Sequence, residues 1–297
     1  MATTGSDIKS TDLNTLRNNT VEVLGPGSGT YGYGQTFESY EVTPGQTARK
    51  ADFDAIRFDL VSIYQHQKGV TPTLPIALTT DPVRAGAADP INSYQTVAND
   101  LRISRFDIAN FTTTAKDSET YSGSWNTLAE AVLTVTFSTA TEARYFFNAG
   151  SKIRITTSRS GGTSSPQNNA WTNILDNAGN QNFGAATDPV INYYTLTNSY
   201  QDFYVLSTST PYSANNYQLS AKTDVADNAT GTATQLDIRI RLNDSYVDLG
   251  PPAPGDLVDG TLTINIEELK TNAILQPSGT PYTIVSPTYS LSSISAS

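Results

Sequence analysis

Three glycines near the front of the chain have the spacing of a dinucleotide-binding fingerprint. The motif GSGTYG, of the form GxGxxG, contains Gly27, Gly29 and Gly32. Such a site needs a helix that opens on the third glycine, because the amides of its first turn bind the pyrophosphate. Gly34 follows at once, and Asp52, the candidate ribose ligand, lies at a helix start instead of a strand end. We therefore predict a glycine-rich structural loop over residues 24–35, after the strand-like Val21 to Leu24, and no cofactor.

His66 is the only histidine, and the chain has no cysteine. Catalytic triads and most zinc sites use histidine, and many structural zinc sites add thiolates. One imidazole without a thiol completes neither set, so we predict no triad and no metal site. The position of His66 at the end of an amphipathic helix indicates a histidine at the surface or in an interface.

Two groups of carboxylates could supply a general acid and a general base. Asp52, Asp54 and Asp59 fall on one predicted helix, while Glu267 and Glu268 are neighbours on a predicted strand. Neighbours on a strand point to opposite faces, and neither group resembles the acid and base arrangement of glycosidases. We predict solvated or interface charges and no catalytic residues, with a hydrolase as the less favoured alternative.

Two oxygen-rich segments could bind calcium, Asp176 to Asn182 and Thr223 to Thr232. Neither has the EF-hand spacing of oxygen ligands with a distal glutamate. Turn chemistry accounts for both, so we predict no metal, with a bound ion as the alternative.

The two tryptophans and sixteen tyrosines could form platforms for sugars or for protein partners. Trp171 lies on a helical stripe, which predicts a core residue. Trp125, in the segment YSGSWN, is the better candidate for an exposed contact.

The overall composition excludes some classes of partner. A net charge of -10 in 297 residues argues against a phosphate-backbone partner, which needs clustered lysine and arginine. The first residues lack the charged start and apolar core of a signal peptide, and no apolar run is long enough to span a membrane. We therefore expect no nucleic acid and no membrane as partners, and a protein kept in a cytoplasm until it is assembled.

Helical patterns dominate the first part of the chain. Phe53, Ile56, Leu60 and Ile63 are spaced three, four and three residues apart, which places them on one stripe, and Gly69 stands at the cap position. The predicted helices are Thr11 to Asn18, Ala48 to Gln67, Pro90 to Leu101, Thr141 to Ala149 and Pro166 to Asn177. The helix at Thr11 has only two apolar anchors and needs a neighbour to form. A proline-rich connector separates the second and third helices.

Beyond about residue 115 the apolar period changes to two. The strictest alternation is that of Leu236, Ile238, Ile240 and Leu242 with polar residues, which fixes the face that meets the core. Further predicted strands lie around Leu133 to Phe137, Lys152 to Thr156, Tyr193 to Thr197, Tyr200 to Thr208, Tyr217 to Lys222 and Leu262 to Ile266. The predicted class is α+β, dominated by β, with an antiparallel β-sandwich-like domain, inserted short helices and a helical N-terminal region.

The change of period also predicts the domain organisation. We expect an N-terminal helical and extended assembly region over residues 1–115 and a β-rich domain over residues 116–297. The alternation of Tyr289 and Leu291 with serines near the C-terminus indicates an edge strand, or an arm added to a neighbour's sheet.

Several motifs together carry a resemblance to a known group of proteins. They are YGYGQ at Tyr31 to Gln35, FFNAGSKIRI at Phe146 to Ile155, SRSGG at Ser158 to Gly162 and NNAWTNIL at Asn168 to Leu175. The chain resembles virion structural proteins of T4-like tailed phages that infect marine cyanobacteria and related bacteria. Fibre, neck and baseplate parts all occur in that group, and the resemblance implies no catalytic residues.

The resemblance implies a structural component of a tailed-phage virion, in the tail, neck, baseplate or fibre attachment. Its expected partners are other virion proteins and copies of itself, in a homo-oligomer such as a ring or trimer. Two alternatives stay open. One is a capsid decoration protein, and the other is a receptor-binding or glycan-binding tail protein with a host surface glycan as its partner.

Overall fold

The fold is α+β and rich in β-structure, as a computed structural model shows. It describes residues 8–46, 48–74, 90–185, 191–207, 210–247, 257–271, 279 and 281–297. Two compact units form. The first comprises Met1–Thr112, Arg144–Ser151 and Lys270–Val285, and the second comprises Thr113–Ala143, Lys152–Leu269 and Ser286–Ser297. The chain thus returns twice to the first unit, from stretches that the sequence assigned to the β-rich domain. Most of the proline-rich connector lies outside the described residues.

Three helices build the first unit. They are α1 (Ser10–Leu24), α2 (Lys50–Lys68) and α3 (Pro90–Ile103), and α1 packs against both of the others. The interpretation of Val21 to Leu24 as strand-like is wrong, because these residues form the last turn of α1. Leu13, Leu16, Val23 and Leu24 are all buried, at helical spacing. The neighbouring helices supply the burial that a short isolated helix lacks.

Helix α2 has the stripe and the end that its sequence predicts. Its four stripe residues are all buried. Gly69 ends the helix in the left-handed conformation at φ 71°, and its amide donates to the carbonyl of Gln65. A side chain would be strained there, which is why glycine is favoured.

Ten strands form two antiparallel sheets within the described residues. They are β1 (Thr112–Ser122), β2 (Leu128–Thr136), β3 (Lys152–Ser160), β4 (Asn180–Phe183), β5 (Gln201–Ser207), β6 (Asn216–Thr223), β7 (Gln235–Asn243), β8 (Thr261–Lys270), β9 (Thr288–Leu291) and β10 (Ser295–Ala296). One sheet has the order β1-β8-β3-β4, and the other has the order β10-β2-β7-β6-β5, with β9 also paired to β2. The predicted fold class is confirmed.

The core of the second unit follows from the alternation along the strands. Leu236, Ile238, Ile240 and Leu242 of β7 are all buried, and β2 pairs with them in an unbroken register. Helix α5 (Pro166–Ala178) begins after Ser165, whose side chain accepts from the amide of Asn168, and it contacts strands of both sheets. Helix α4 (Ala140–Asn148) precedes β3.

One predicted strand of the second unit differs in the structure, and one observed strand was not predicted. Tyr193 to Thr197 is not a strand, because Tyr193–Thr195 forms a single 3-10 turn capped by the side chain of Asn192. Tyr193 and Tyr194 are both buried, which strand alternation does not allow for neighbours on a half-exposed sheet. Strand β1, whose eleven residues begin at Thr112, lies outside all the predicted strands.

The C-terminal segment pairs with a sheet of its own chain. Strands β9 and β10 pair with successive parts of the same β2 edge, Leu133–Thr136 and Ala129–Glu130. The carbonyl of Ser297 accepts from the amides of Asn126 and Thr127. The edge-strand interpretation is confirmed, because both pieces lie at the edge of the sheet beside β2. Two short pieces in place of one long strand leave little edge for another chain to pair with.

Candidate functional site

The glycine-rich loop differs from a phosphate-binding loop in how its backbone amides are used. Its amides are used internally, since Tyr33 donates to the carbonyl of Val23 and Gln35 donates to that of Leu24. The loop therefore satisfies the end carbonyls of α1 instead of opening a new helix. Gly32 has φ 96°, and a Cβ there would lie 2.3 Å from the carbonyl oxygen of Pro26. The glycine is required for this close backbone approach.

Side chains from α4 hold the loop by its carbonyl oxygens. Arg144 donates to the carbonyls of Pro26 at 3.1 Å and Tyr31 at 3.0 Å. Asn148, one turn further along, donates to the carbonyls of Gly29 at 3.1 Å and Tyr31 at 2.9 Å. We call Arg144, Asn148 and these carbonyls the loop latch. It links two of the motifs that carry the resemblance, and it presents acceptors where a nucleotide site would need donors.

His66 is fully buried, so the prediction of a surface histidine is wrong. Its Nε2 atom lies 2.9 Å from the carbonyl oxygen of Ala149, and its ring stacks on Tyr282 with centroids 4.3 Å apart. Burial lowers the pKa of His66 from 6.5 to about 4, against the opposing effect of the bond to Ala149. The ring is therefore a neutral part of the core at physiological pH.

The three aspartates of α2 have structural roles. Asp52 accepts from the backbone amide of Arg49 at 2.8 Å and caps the helix. Asp54 pairs with Lys50, and both side chains are more than one third exposed. Asp59 is buried and accepts from the amide of Glu38 at 2.8 Å, and burial raises its pKa. The prediction of a solvated charge is thus wrong for Asp59.

Glu267 and Glu268 occupy opposite faces of β8, as the sequence predicted. Glu268 is 1% exposed, which contradicts a solvated charge. Its carboxylate accepts from Lys116 Nζ at 3.2 Å and from the Tyr289 hydroxyl at 2.9 Å. Burial first, and then the neighbouring carboxylate, raises the pKa of Tyr289 far above its usual range. The cluster is a buried, paired charge within the second unit.

Both tryptophans are core residues. Trp171 is fully buried as predicted, and its Nε1 donates to Asp244 at 3.2 Å. Trp125 is only 3% exposed, so its predicted role as an exposed contact is wrong. It forms an isolated bridge with Val258 and packs edge-on against Trp171, with centroids 4.9 Å apart.

The two candidate calcium segments are turns and element ends. Asp176 to Asn182 contains the last turn of α5 and the start of β4. In the other segment the Asp224 carboxylate accepts from the amide and the hydroxyl of Thr234. Among the residues that the structure describes, no group of three or more His, Cys, Asp and Glu side chains is placed to hold a metal ion.

Sequence reasoning missed a polar surface on the outer side of the four-stranded sheet. Its side chains, all partly or fully exposed, lie opposite the buried isoleucines of β3 and β8. This polar face includes Lys116, Ser118, Arg154, Thr156, Ser158, Ser160, Asn180, Asn182, Thr261, Thr263, Asn265 and Glu267. The signal was present as alternating hydroxyl and amide residues, such as Thr261, Thr263 and Asn265, but their strand neighbours could not be known.

At one end of the polar face the surface forms an open depression of about 710 Å³. Two rows of side chains cross it. In one row Thr156 lies between Asn265 and Asn180, and in the other Arg154 lies between Glu267 and Asn182. Arg154 Nη1 lies 3.4 Å from Glu267 Oε2. The size lies within the range of small-ligand sites, although the lining is more polar than usual.

No protein-family model, curated protein or solved structure matches this chain. Of the helices described, none combines the length and the apolar character needed to cross a membrane.

Proposed function

We propose that this protein is a structural component of a tailed-phage virion, in the tail, neck, baseplate or fibre attachment. It acts through contacts with other virion proteins and with copies of itself. The observation that carries the proposal is the loop latch. The motifs YGYGQ and FFNAG, which carry the resemblance, meet in space, because Asn148 of the second donates to the carbonyl of Tyr31 of the first. Motif residues used in this way maintain a scaffold.

The structural roles of the other candidate residues support the same proposal. His66 is a buried neutral ring, Asp52 caps a helix, and Glu268 is paired with Lys116. Each of these groups is engaged in packing or pairing within the described residues. None stands beside a second group in the geometry of a general acid and base.

Immunogold labelling of intact particles of a phage that encodes this chain tests the proposal. Label at the tail, neck or baseplate supports it, and pre-absorption of the antibody with purified protein should remove that label. Label distributed over the head would replace it with a capsid decoration protein. Absence of label, with the chain also missing from purified particles by mass spectrometry, contradicts a virion role.

A second candidate function is favoured by one observation, the depression on the polar face. A receptor-binding tail protein needs a surface that takes a host glycan, and hydroxyl, amide and charged side chains suit that ligand. This function is compatible with a place in the virion, and it makes a separate prediction about the isolated protein.

A further inference from the structure

The depression on the polar face has unused hydrogen-bonding groups arranged around its floor. The Oδ1 atoms of Asn265 and Asn180 accept from Ser118 Oγ at 3.0 Å and from Thr156 Oγ1 at 2.7 Å. Among the described residues, the NH2 groups of these two amides have no protein partner. Both amides therefore have fixed orientations and present their donors to solvent.

Donors and acceptors alternate across the depression. Arg154 uses Nε on Asn182 at 3.2 Å and Nη1 on Glu267, which leaves Nη2 as a further donor. Oε1 of Glu267 is an acceptor without a partner in the part of the chain that the structure describes. Neighbouring strands are about 4.8 Å apart, so these groups repeat at about the width of a sugar ring.

The charge of the depression excludes polyanions. Its lining has two cations, Lys116 and Arg154, and two carboxylates, Asp117 and Glu267. Arg154 pairs with Glu267, and Lys116 pairs with the buried Glu268 beneath the face. A nucleic acid or a strongly acidic polymer needs an excess of cations, and the described lining of the depression has none. The ligand that fits is uncharged.

The composition of the polar face also differs from that of a protein interface. The cores of protein interfaces are enriched in aromatic residues and depleted in serine, lysine and glutamate. The lining of the depression contains no aromatic residue among the described ones. Each hydroxyl group of a ligand can donate and accept a hydrogen bond. Such groups therefore match the alternating donors and acceptors of the depression better than the apolar side chains of a protein partner would.

We propose that this depression binds a neutral saccharide through Arg154, Glu267, Asn180 and Asn265. These groups form hydrogen bonds with the hydroxyl groups of a short oligosaccharide segment. The proposal does not depend on where the protein sits in a virion. Without an aromatic ring to stack on, a single site binds weakly, with a Kd on the order of 1 mM, and several copies in one particle would bind a polymer by avidity.

Saturation-transfer difference NMR on the full chain tests the proposal. The probes are maltotriose, cellotriose, mannotriose and xylotriose, with trigalacturonic acid as the acidic comparison. We expect transfer to at least one neutral trisaccharide and none to the acidic one. In a 15N spectrum the side-chain NH2 signals of Asn180 and Asn265 should shift on addition of the same sugar.

A matched pair of variants locates the site. Thr156→Arg places a long side chain between Asn265 and Asn180 and should weaken binding at least tenfold. Ser160→Arg adds the same side chain on the same face of β3, about 13 Å along the strand, and should leave binding unchanged. Circular dichroism spectra must show that both variants are folded.

Three results would overturn the proposal. The first is absence of transfer to every neutral probe at about ten times the expected Kd. The second is equal binding by Thr156→Arg and Ser160→Arg. The third is binding that shifts other residues but neither amide signal, a measurement on the unaltered chain that stands even if Thr156→Arg does not fold. None of these results bears on immunogold labelling, so the two proposals fail independently.

Discussion

Acidification should destabilise the first unit through His66, because its ring can take up a proton only at a high cost. The imidazole is fully buried, stacked on Tyr282 and 4.7 Å from the ring of Tyr33 between centroids. The unfolded chain binds the proton with the ordinary pKa of 6.5, whereas in the folded protein the pKa is about 4. Between these values the unfolded state binds more protons, so the free energy of unfolding falls as the pH decreases.

The size of the effect follows from the two pKa values. Their separation, from 6.5 to about 4, corresponds to about 3 kcal/mol, at about 1.4 kcal/mol for each pKa unit. The loss begins near pH 6.5 and is complete below the folded pKa. Burial raises the pKa of the two tyrosines that face the ring, so both stay neutral across this window. Asp59 acts in the opposite sense, because burial raises its pKa and protonation then favours the folded state.

Two measurements check this prediction. Because the chain has a single histidine, one imidazole proton signal in NMR spectra of tag-free protein gives its pKa without assignment. Urea unfolding between about pH 7.5 and about pH 4 gives the stability loss. His66→Phe keeps a stacked ring but cannot titrate. Over this pH range its free energy of unfolding should therefore fall by about 3 kcal/mol less than that of the unaltered protein, because Asp59 contributes equally to both. A titration midpoint near the ordinary value, or equal slopes in the two proteins, would refute the reasoning.

Three further predictions concern the latch, the tryptophans and the buried ion pair. Asn148→Ala removes two of the hydrogen bonds of the loop latch and should lower the free energy of unfolding by about 1–3 kcal/mol in urea titrations, whereas an unchanged midpoint would show that these bonds do not stabilise the loop. Fluorescence of Trp125 and Trp171 should peak at short wavelength and resist quenching by iodide, whereas strong quenching would show that Trp125 is exposed. Lys116→Met leaves the buried carboxylate of Glu268 without its cationic partner and should lower the free energy of unfolding by about 3 kcal/mol at neutral pH. Adding Glu268→Gln should restore most of the lost stability. If the double variant is no more stable than the single one, the pairing argument is wrong.

The local sequence pattern predicted the structure correctly where a single helix or strand determines which residues are buried. The stripe from Phe53 to Ile63 predicted α2, and Gly69 marked its end. The alternation from Leu236 to Leu242 predicted β7 and the face that it buries. In both cases the side-chain period equals the period of the backbone, so the buried face follows from sequence alone.

Local pattern failed where distant parts of the chain supply the environment. His66 looks like a solvated residue at a helix end, but Ala149 and Tyr282 cover it. Trp125 looks exposed among serines and glycine, but the bridge to Val258 brings it against Trp171. Such contacts join residues far apart in sequence, and no local period records them.

The candidate binding site shows the same division. The sequence of β3 and β8 already determined that hydroxyl, amide and charged side chains face outward, because their neighbours are apolar. It did not determine which strands lie side by side. Only the tertiary structure placed Thr156 between Asn265 and Asn180, since strand order and register depend on the packing of the whole unit. The sequence by itself determined the elements and their buried faces, while the long-range pairing decided what those faces bring together.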